Sequence, residues 1–182
     1  MTAGPQESDP ATADPAATAS PPTIEVRPAH PRELAAAGAV VRLAYEADGH
    51  GGDYLDVVED AQDRSRDAQI VVAVDEQGQV LGCVTFVSPP SRWSELSGPG
   101  DVEFRMLGGH PQAQGRGVGR ARTHWCIDQA RRTGARRLLL CSLPSMAAAH
   151  RLYTGLGFRR LPERDLHPHP GLLLLAFELP LG

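Results

Sequence analysis

The sequence predicts an α/β domain, and three observations predict it. Short apolar runs rich in Val, Ile and Leu alternate with longer segments whose apolar residues recur at helical spacing. Turn residues (Gly, Pro, Asp, Ser) punctuate the chain between them. A glycine-rich stretch, Gln114-Gly115-Arg116-Gly117-Val118-Gly119, stands between an apolar run and a long amphipathic segment. That strand, turn and helix start converge backbone N–H groups where no side chain blocks them, beside a helix N-terminus with its partial positive charge, and so suit phosphate.

Residues 1–22 consist largely of Ala, Pro, Thr, Ser, Asp and Gly, too little apolar surface to offset ordering entropy, so they are expected to form a disordered tail. One folded domain is expected over 23–182. It starts with a strand at 23–27. A helix from Pro31 to about Asp48 follows, proline at its start and Leu34, Ala37, Val41 and Ala44 at helical spacing. Gly49-His50-Gly51-Gly52 breaks it, and a second helix is expected over 54–66. Strands at 69–74 and 80–87 flank Asp75-Glu76-Gln77-Gly78 as a hairpin. Residues 88–100 read as a loop and 102–107 as a fourth strand. A helix over 116–133 ends at Gly134, a C′ residue. A strand at 136–142, a short helix at 145–156 and strands at 158–161 and 172–179 complete the order β-α-α-β-β-β-α-β-α-β-β.

Composition narrows the function. The net charge of -4 argues against wholesale nucleic-acid binding. All 18 basic residues are arginine, so the chain cannot modify a lysine of its own. Cys83, Cys126 and Cys141 lie in apolar runs and read as reduced, buried thiols of a cytoplasmic protein. No apolar stretch reaches 18 residues, so no membrane span is expected, and no secretory signal is read at the N-terminus.

The glycine loop lacks the dinucleotide GxGxxG form, and a Walker loop would need a lysine. Gln114-x-x-Gly117-x-Gly119 matches the Q/R-x-x-G-x-G/A pyrophosphate loop of the GNAT N-acetyltransferase superfamily. Residues 105–111 resemble that family's fourth strand and its exit, and Leu152-Tyr153-Thr154-Gly155-Leu156-Gly157-Phe158 resembles its second signature, L-Y-x-x-x-G-F. The resemblance covers about residues 23–180. It implies a mixed central sheet of about seven strands with flanking helices, the fourth and fifth strands splayed. It also implies acetyl-CoA or another acyl-CoA as co-substrate, with no metal, and an acyl-CoA-dependent N-acyltransferase acting on an amine of a small molecule or protein. The alternative is a non-catalytic acyl-CoA-binding module. Gly115, Arg116, Gly117, Val118, Gly119 and Arg120, with Gln114, would hold the pyrophosphate, and Leu107, Gly108 and Gly109 would pair with the pantetheine arm as an added strand. Glycine at 108 and 109 fits a site where a ligand approaches the backbone closely.

Acyl transfer from a thioester needs a neutral amine, a stabilised oxyanion and a protonated leaving thiolate. Tyr153 matches the family's tyrosine near the sulfur and is the candidate acid; as a core aromatic it would share a helix face with Met146, Ala149 and Leu156. The oxyanion falls to a backbone N–H near Gly108. Glu103 matches the catalytic glutamate of the histone-acetylating branch and is the candidate base, directly or through water; a pairing with Arg105 on the same strand face is the structural alternative. The fifth-strand glutamate of another branch is here Cys141, and the asparagine near the last helix start is Met146. His150 reads as a helix-surface residue and His110 as a turn residue before Pro111. His167 and His169 lack a third ligand at useful spacing, so no metal is expected. The arginines 116, 120, 122, 131, 132, 136 and 137 read as the outer face of a solvated helix plus phosphate ligands, with no nucleic-acid partner. By the resemblance, the first two helices (Tyr45, Glu46, Asp48, His50, Asp53, Tyr54, Asp56) and residues 162–170 would wall the acceptor cleft, acidic residues there suiting a cationic amine, and a homodimer would form through the final strands.

Overall fold

The structure, a computed structural model, describes residues 23–182; the expected tail at 1–22 lies outside the described residues. Seven strands form one sheet: β1 (Glu25–Pro28), β2 (Gln69–Val74), β3 (Val80–Val87), β4 (Asp101–Gly109), β5 (Arg137–Ser142), β6 (Arg159–Arg160) and β7 (Leu175–Pro180). Their order is β1-β2-β3-β4-β5-β7-β6, antiparallel except where β4 meets β5. Five helices pack on the sheet: α1 (Leu34–Ala47), α2 (Tyr54–Glu59), α3 (Ala61–Arg64), α4 (Val118–Arg132) and α5 (Ala147–Gly155). The expected element order is the observed one. One expected helix divides: the 54–66 segment breaks at Asp60, whose carboxylate accepts the Asp63 N–H and caps α3 as a separate turn.

Two cores sit on opposite faces of the sheet. On one, Leu34, Ala37, Val40 and Val41 of α1 pack with Ile70, Val72, Val74, Cys83 and Met106. On the other, Cys126, Ile127 and Ala130 of α4 and Tyr153 of α5 pack with Val84, Phe86, Phe104, Leu138 and Phe177. Period-two alternation along buried strands sends neighbouring residues to the two layers. Among the described residues no helix is long and apolar enough to cross a membrane.

Two irregularities in β4 shape the centre of the molecule. Parallel pairing with β5 covers only Asp101↔Arg137, Val102↔Leu138 and Glu103↔Leu139, and the strands then part. Arg137 closes the joined end, donating to the buried Asp101 carboxylate at 3.2 and 2.6 Å. Further along, the β3–β4 register shifts between Cys83 and Thr85, and Met106 adopts φ 52°. An extra residue on one strand is a β-bulge, which breaks the alternation. Arg105 and Met106 accordingly both line the α1 side, while Leu107 packs with the α4 core.

Candidate active site

One side of the opening between β4 and β5 is built by the end of β4 and the start of α4. His110 caps a 3₁₀ turn, Pro111–Ala113, its Nδ1 accepting the Gln112 N–H at 3.3 Å, which is the expected turn role. Gln114 is extended, and Gly115 and Gly117 follow with φ 75° and 77°. Left-handed residues separated by one position turn successive N–H groups to the same side, the arrangement that forms an anion-binding concavity. Helix α4 therefore begins at Val118, two residues later than expected. Val118 is buried with Ala73, Leu81 and Ala113, which fixes the loop to the sheet. Among the described residues, no acceptor meets the N–H groups of Gly115, Gly117, Val118, Gly119 and Arg120. The side chains of Gln114, Arg116 and Arg120 are exposed around them.

Gly108 and Gly109 have a packing reason to be glycine that the sequence does not announce. A Cβ on Gly108 would lie 2.8 Å from Val41 Cα, so α1 crosses β4 against bare backbone. A Cβ on Gly109 would lie 3.2 Å from Arg122 Nη2. The faces above and below these residues are thus filled by protein. Their strand edge toward β5 is open, because β4–β5 pairing stops at Glu103.

Tyr153 and Glu103 lie on opposite sides of the sheet. Tyr153 is 4% exposed and its ring packs among Phe104, Phe158 and Phe177 at centroid distances of 5.9 to 6.0 Å. Burial pushes its phenol well above the usual value of about 10, so it stays protonated, while the nearby Arg122 charge pulls the other way. Glu103 is 1% exposed on the α1 side, and its carboxylate accepts three backbone N–H bonds, from Glu95 (2.8 Å), Leu96 (2.7 Å) and Ser97 (2.6 Å). It does not pair with Arg105. That guanidinium donates instead to Glu95 Oε1 at 2.5 Å and to the Trp93 carbonyl at 3.0 Å, because the 88–100 loop folds back over β4.

Between this loop, α1, α2 and the 168–174 segment lies a cavity of about 650 Å³ that reaches the β4–β5 opening. Tyr45, His50, Asp53 and Tyr54 line it as expected. Glu46, Asp48 and Asp56 do not: all three are exposed, and Arg42 binds Glu46, Asp56 and Glu59 at 2.9, 2.9 and 2.7 Å. Of the segment 162–170, Pro168 and His169 reach the wall. Burial raises the Cys141 thiol to about 12, so at neutral pH it lines the cavity uncharged. His150 is half-buried rather than a surface residue, with Nε2 3.2 Å from Ser142 Oγ. Sequence reasoning missed Glu95, which lies in an aperiodic Pro/Ser/Gly loop without any pattern to mark it. It also misplaced Arg122, which is 2% exposed rather than solvated. Among the described residues no group of three or more His, Cys, Asp or Glu side chains could hold a metal ion.

The acetyltransferase (GNAT) family model matches residues 39–158, which span β2–β5, the glycine loop and both helices of the α4–α5 layer. The chain belongs to this family. An uncharacterized N-acetyltransferase of Schizosaccharomyces pombe is 29% identical over 110 residues, 60% of this chain and 63% of the relative. A mycothiol acetyltransferase of Geodermatophilus obscurus is 40% identical over 76 residues, 38% of this chain and 25% of the relative. The chain thus covers less than two thirds of the length of either curated relative. Among solved structures, a GCN5-related N-acetyltransferase from Kribbella flavida shares 28% identity with a TM-score of 0.64, covering 87% of this chain and 98% of that one. The Salmonella typhimurium protein yncA, solved with its cofactor acetyl-CoA, shares 25% identity with a TM-score of 0.63, covering 88% and 95%. The mixed seven-stranded sheet with flanking helices is the GNAT fold, and β4 and β5 carry the expected splay.

Proposed function

We propose that the chain is an acyl-CoA-dependent N-acyltransferase that moves acetyl from acetyl-CoA to a primary amine of a small molecule or protein. One observation carries the reading. The unpaired N–H groups opening α4 and the unpaired edge of β4 lead to the same gap, into which the cavity of about 650 Å³ also opens. The loop from Gln114 to Arg120 holds the pyrophosphate, and the edge of Leu107, Gly108 and Gly109 holds the pantetheine arm. The yncA structure with acetyl-CoA supports the donor assignment.

The amine attacks the thioester carbonyl from the cavity side. The N–C bond forms, the C–S bond breaks, and a main-chain N–H near Gly108 stabilises the oxyanion. Tyr153, kept protonated by burial on the far side of the sheet, gives its proton to the leaving thiolate. Glu103 receives the first proton of the incoming ammonium through water; the second leaves the nitrogen as the amide forms and passes through solvent to restore the Tyr153 phenol. Its three loop N–H bonds give it a second task, holding the wall that carries Glu95. Candidate base and acid on separate sides of the gap suit direct attack, in which the amine adds to one face of the thioester carbonyl and the sulfur leaves the tetrahedral intermediate in a different direction.

The test is acetyl-CoA consumption over a panel of amines, amino acids, aminoglycosides and peptides, with acetyl-CoA binding measured in parallel. Turnover with at least one acceptor is expected. Tight binding with no turnover on any acceptor would replace this reading with the non-catalytic acyl-CoA-binding module.

A further inference from the structure

Arg122 is a full charge placed where burial opposes it. It lies mid-helix in α4 at 2% exposure, and among the described residues no carboxylate stands within ion-pair distance. Burial lowers its pKa to about 10, so it remains a cation at neutral pH. An unpaired buried charge is expensive unless something built for it satisfies its donors. Here the sheet provides a seat. Gly82 and Gly109 are cross-strand partners on β3 and β4, and a Cβ on Gly82 would lie 2.6 Å from the guanidinium carbon. The guanidinium rests over that bare pair. Its Nη1 donates to the carbonyls of both Cys83 and Gly108, themselves cross-strand partners, and its Nε donates to the Val118 carbonyl at 3.3 Å.

These carbonyls adjoin the β4 bulge, where the ladder is disrupted. One Nη1 reaches both, so the Gly108 carbonyl points toward β3. In a trans peptide unit the N–H points opposite to the C=O. Fixing the Gly108 carbonyl toward β3 therefore aims the Gly109 N–H away from it, into the gap where β5 has diverged. The same side chain, through Val118, ties this peptide to the first turn of α4.

We propose that Arg122 is a positioning residue for the donor: its guanidinium, seated on Gly82 and Gly109, locks the Gly108–Gly109 peptide so that the Gly109 N–H faces the gap and receives an amide carbonyl of the donor's pantetheine arm. The proposal rests on the donor reading above. Arg122 touches no substrate and acts only through the backbone.

The experiment is ¹H–¹⁵N NMR of the full chain titrated with acetyl-CoA, in the native protein and in Arg122→Leu and Arg122→Lys. In the native protein the Gly109 amide proton moves downfield on binding, together with the amides of Gly117 and Gly119. In Arg122→Leu the Gly109 shift is lost while the Gly117 and Gly119 shifts persist. Arg122→Lys, able to reach one carbonyl, keeps part of it and serves as the readout if the leucine variant does not fold. An unchanged Gly109 shift in either variant overturns the role of Arg122. Absence of any response at Gly117 and Gly119 in the native protein overturns instead the donor site, and this proposal with it.

Discussion

On the α4 side of the opening, what stands without a protein partner among the described residues is main chain: the N–H groups of Gly115, Gly117, Val118, Gly119 and Arg120, and the free edge of β4. On the α1 side it is side chains from separate segments: Tyr45 in the last turn of α1 and His50 just beyond it, Glu95 in a loop, Arg105 in a strand, Met146 at a helix start and His169 in another loop. Main-chain groups are present whatever the sequence, and a few glycines suffice to present them. A wall of side chains depends on each residue and on the loops that carry it. The first construction suits an invariant donor. The second suits an acceptor that can differ from one relative to the next.

The largest effect should come from chemistry that joins the two sides. Tyr153→Phe keeps the ring packing and removes the acid, so turnover should fall by roughly a hundredfold or more with acetyl-CoA affinity unchanged. Equal turnover in steady-state assays would remove the acid from Tyr153. Next, Gly117→Glu strains a residue at φ 77° and sets a carboxylate against the pyrophosphate. Strain of ~1–2 kcal/mol that displaces the loop from its binding conformation, plus charge repulsion of about 1 kcal/mol, weakens acetyl-CoA binding by about 30- to 150-fold, as calorimetry would read. Glu103→Ala should do the reverse of that. It leaves three loop N–H groups without their acceptor, lowers stability by about 3 kcal/mol in thermal melts, and speeds exchange of the Glu95, Leu96 and Ser97 amides, while donor affinity holds.

Acid should also separate the two sides. The Arg160 guanidinium beside Asp165 holds that carboxyl below its ordinary value, helped by the Ala176 N–H at 2.8 Å. A depressed folded pKa means that this stabilisation is complete above the ordinary carboxylate range and is lost as pH falls from that range down through the lowered folded value. Hydrogen exchange in 165–176 should therefore quicken below about pH 4, while the uncharged backbone of the glycine loop keeps its acetyl-CoA response. The smallest effect belongs to Arg42→Ala: its ion pairs with Glu46, Asp56 and Glu59 are surface contacts away from the cavity, and melting temperature and turnover should both stay within error.

The same division explains what could be read in the sequence. Strands β2 and β3 coincide with the residues expected, because β-branched runs and Asp-Glu-Gln-Gly turn chemistry are local signals. The Gln114–Gly119 loop was legible because left-handed backbone demands glycine at Gly115 and Gly117. The break at Asp60 was not, since both of its helices share one helical period and only the cap divides them. Nothing local links Glu103 to the amides of residues 95–97, which the fold of a loop brings to it. Arg122 did leave a signal. Val118, Arg122, Cys126 and Ala130 recur every four residues, all four are buried, and the arginine interrupts an otherwise apolar stripe. Counting it with the other arginines of α4 by charge, rather than by helix face, put it in solvent.

The short seam between β4 and β5 also has a mechanical side. Strands β1–β4 form one antiparallel half-sheet and β5–β7 another, and three residue pairs strapped by Arg137 on Asp101 join them edge to edge. A sheet so nearly divided resists shear along that line weakly, and under the proposed donor site a pantetheine arm laid in the gap would splice it with hydrogen bonds the chain itself does not make. On that reading, part of the stiffness of this protein would reside in a molecule that leaves at every turnover.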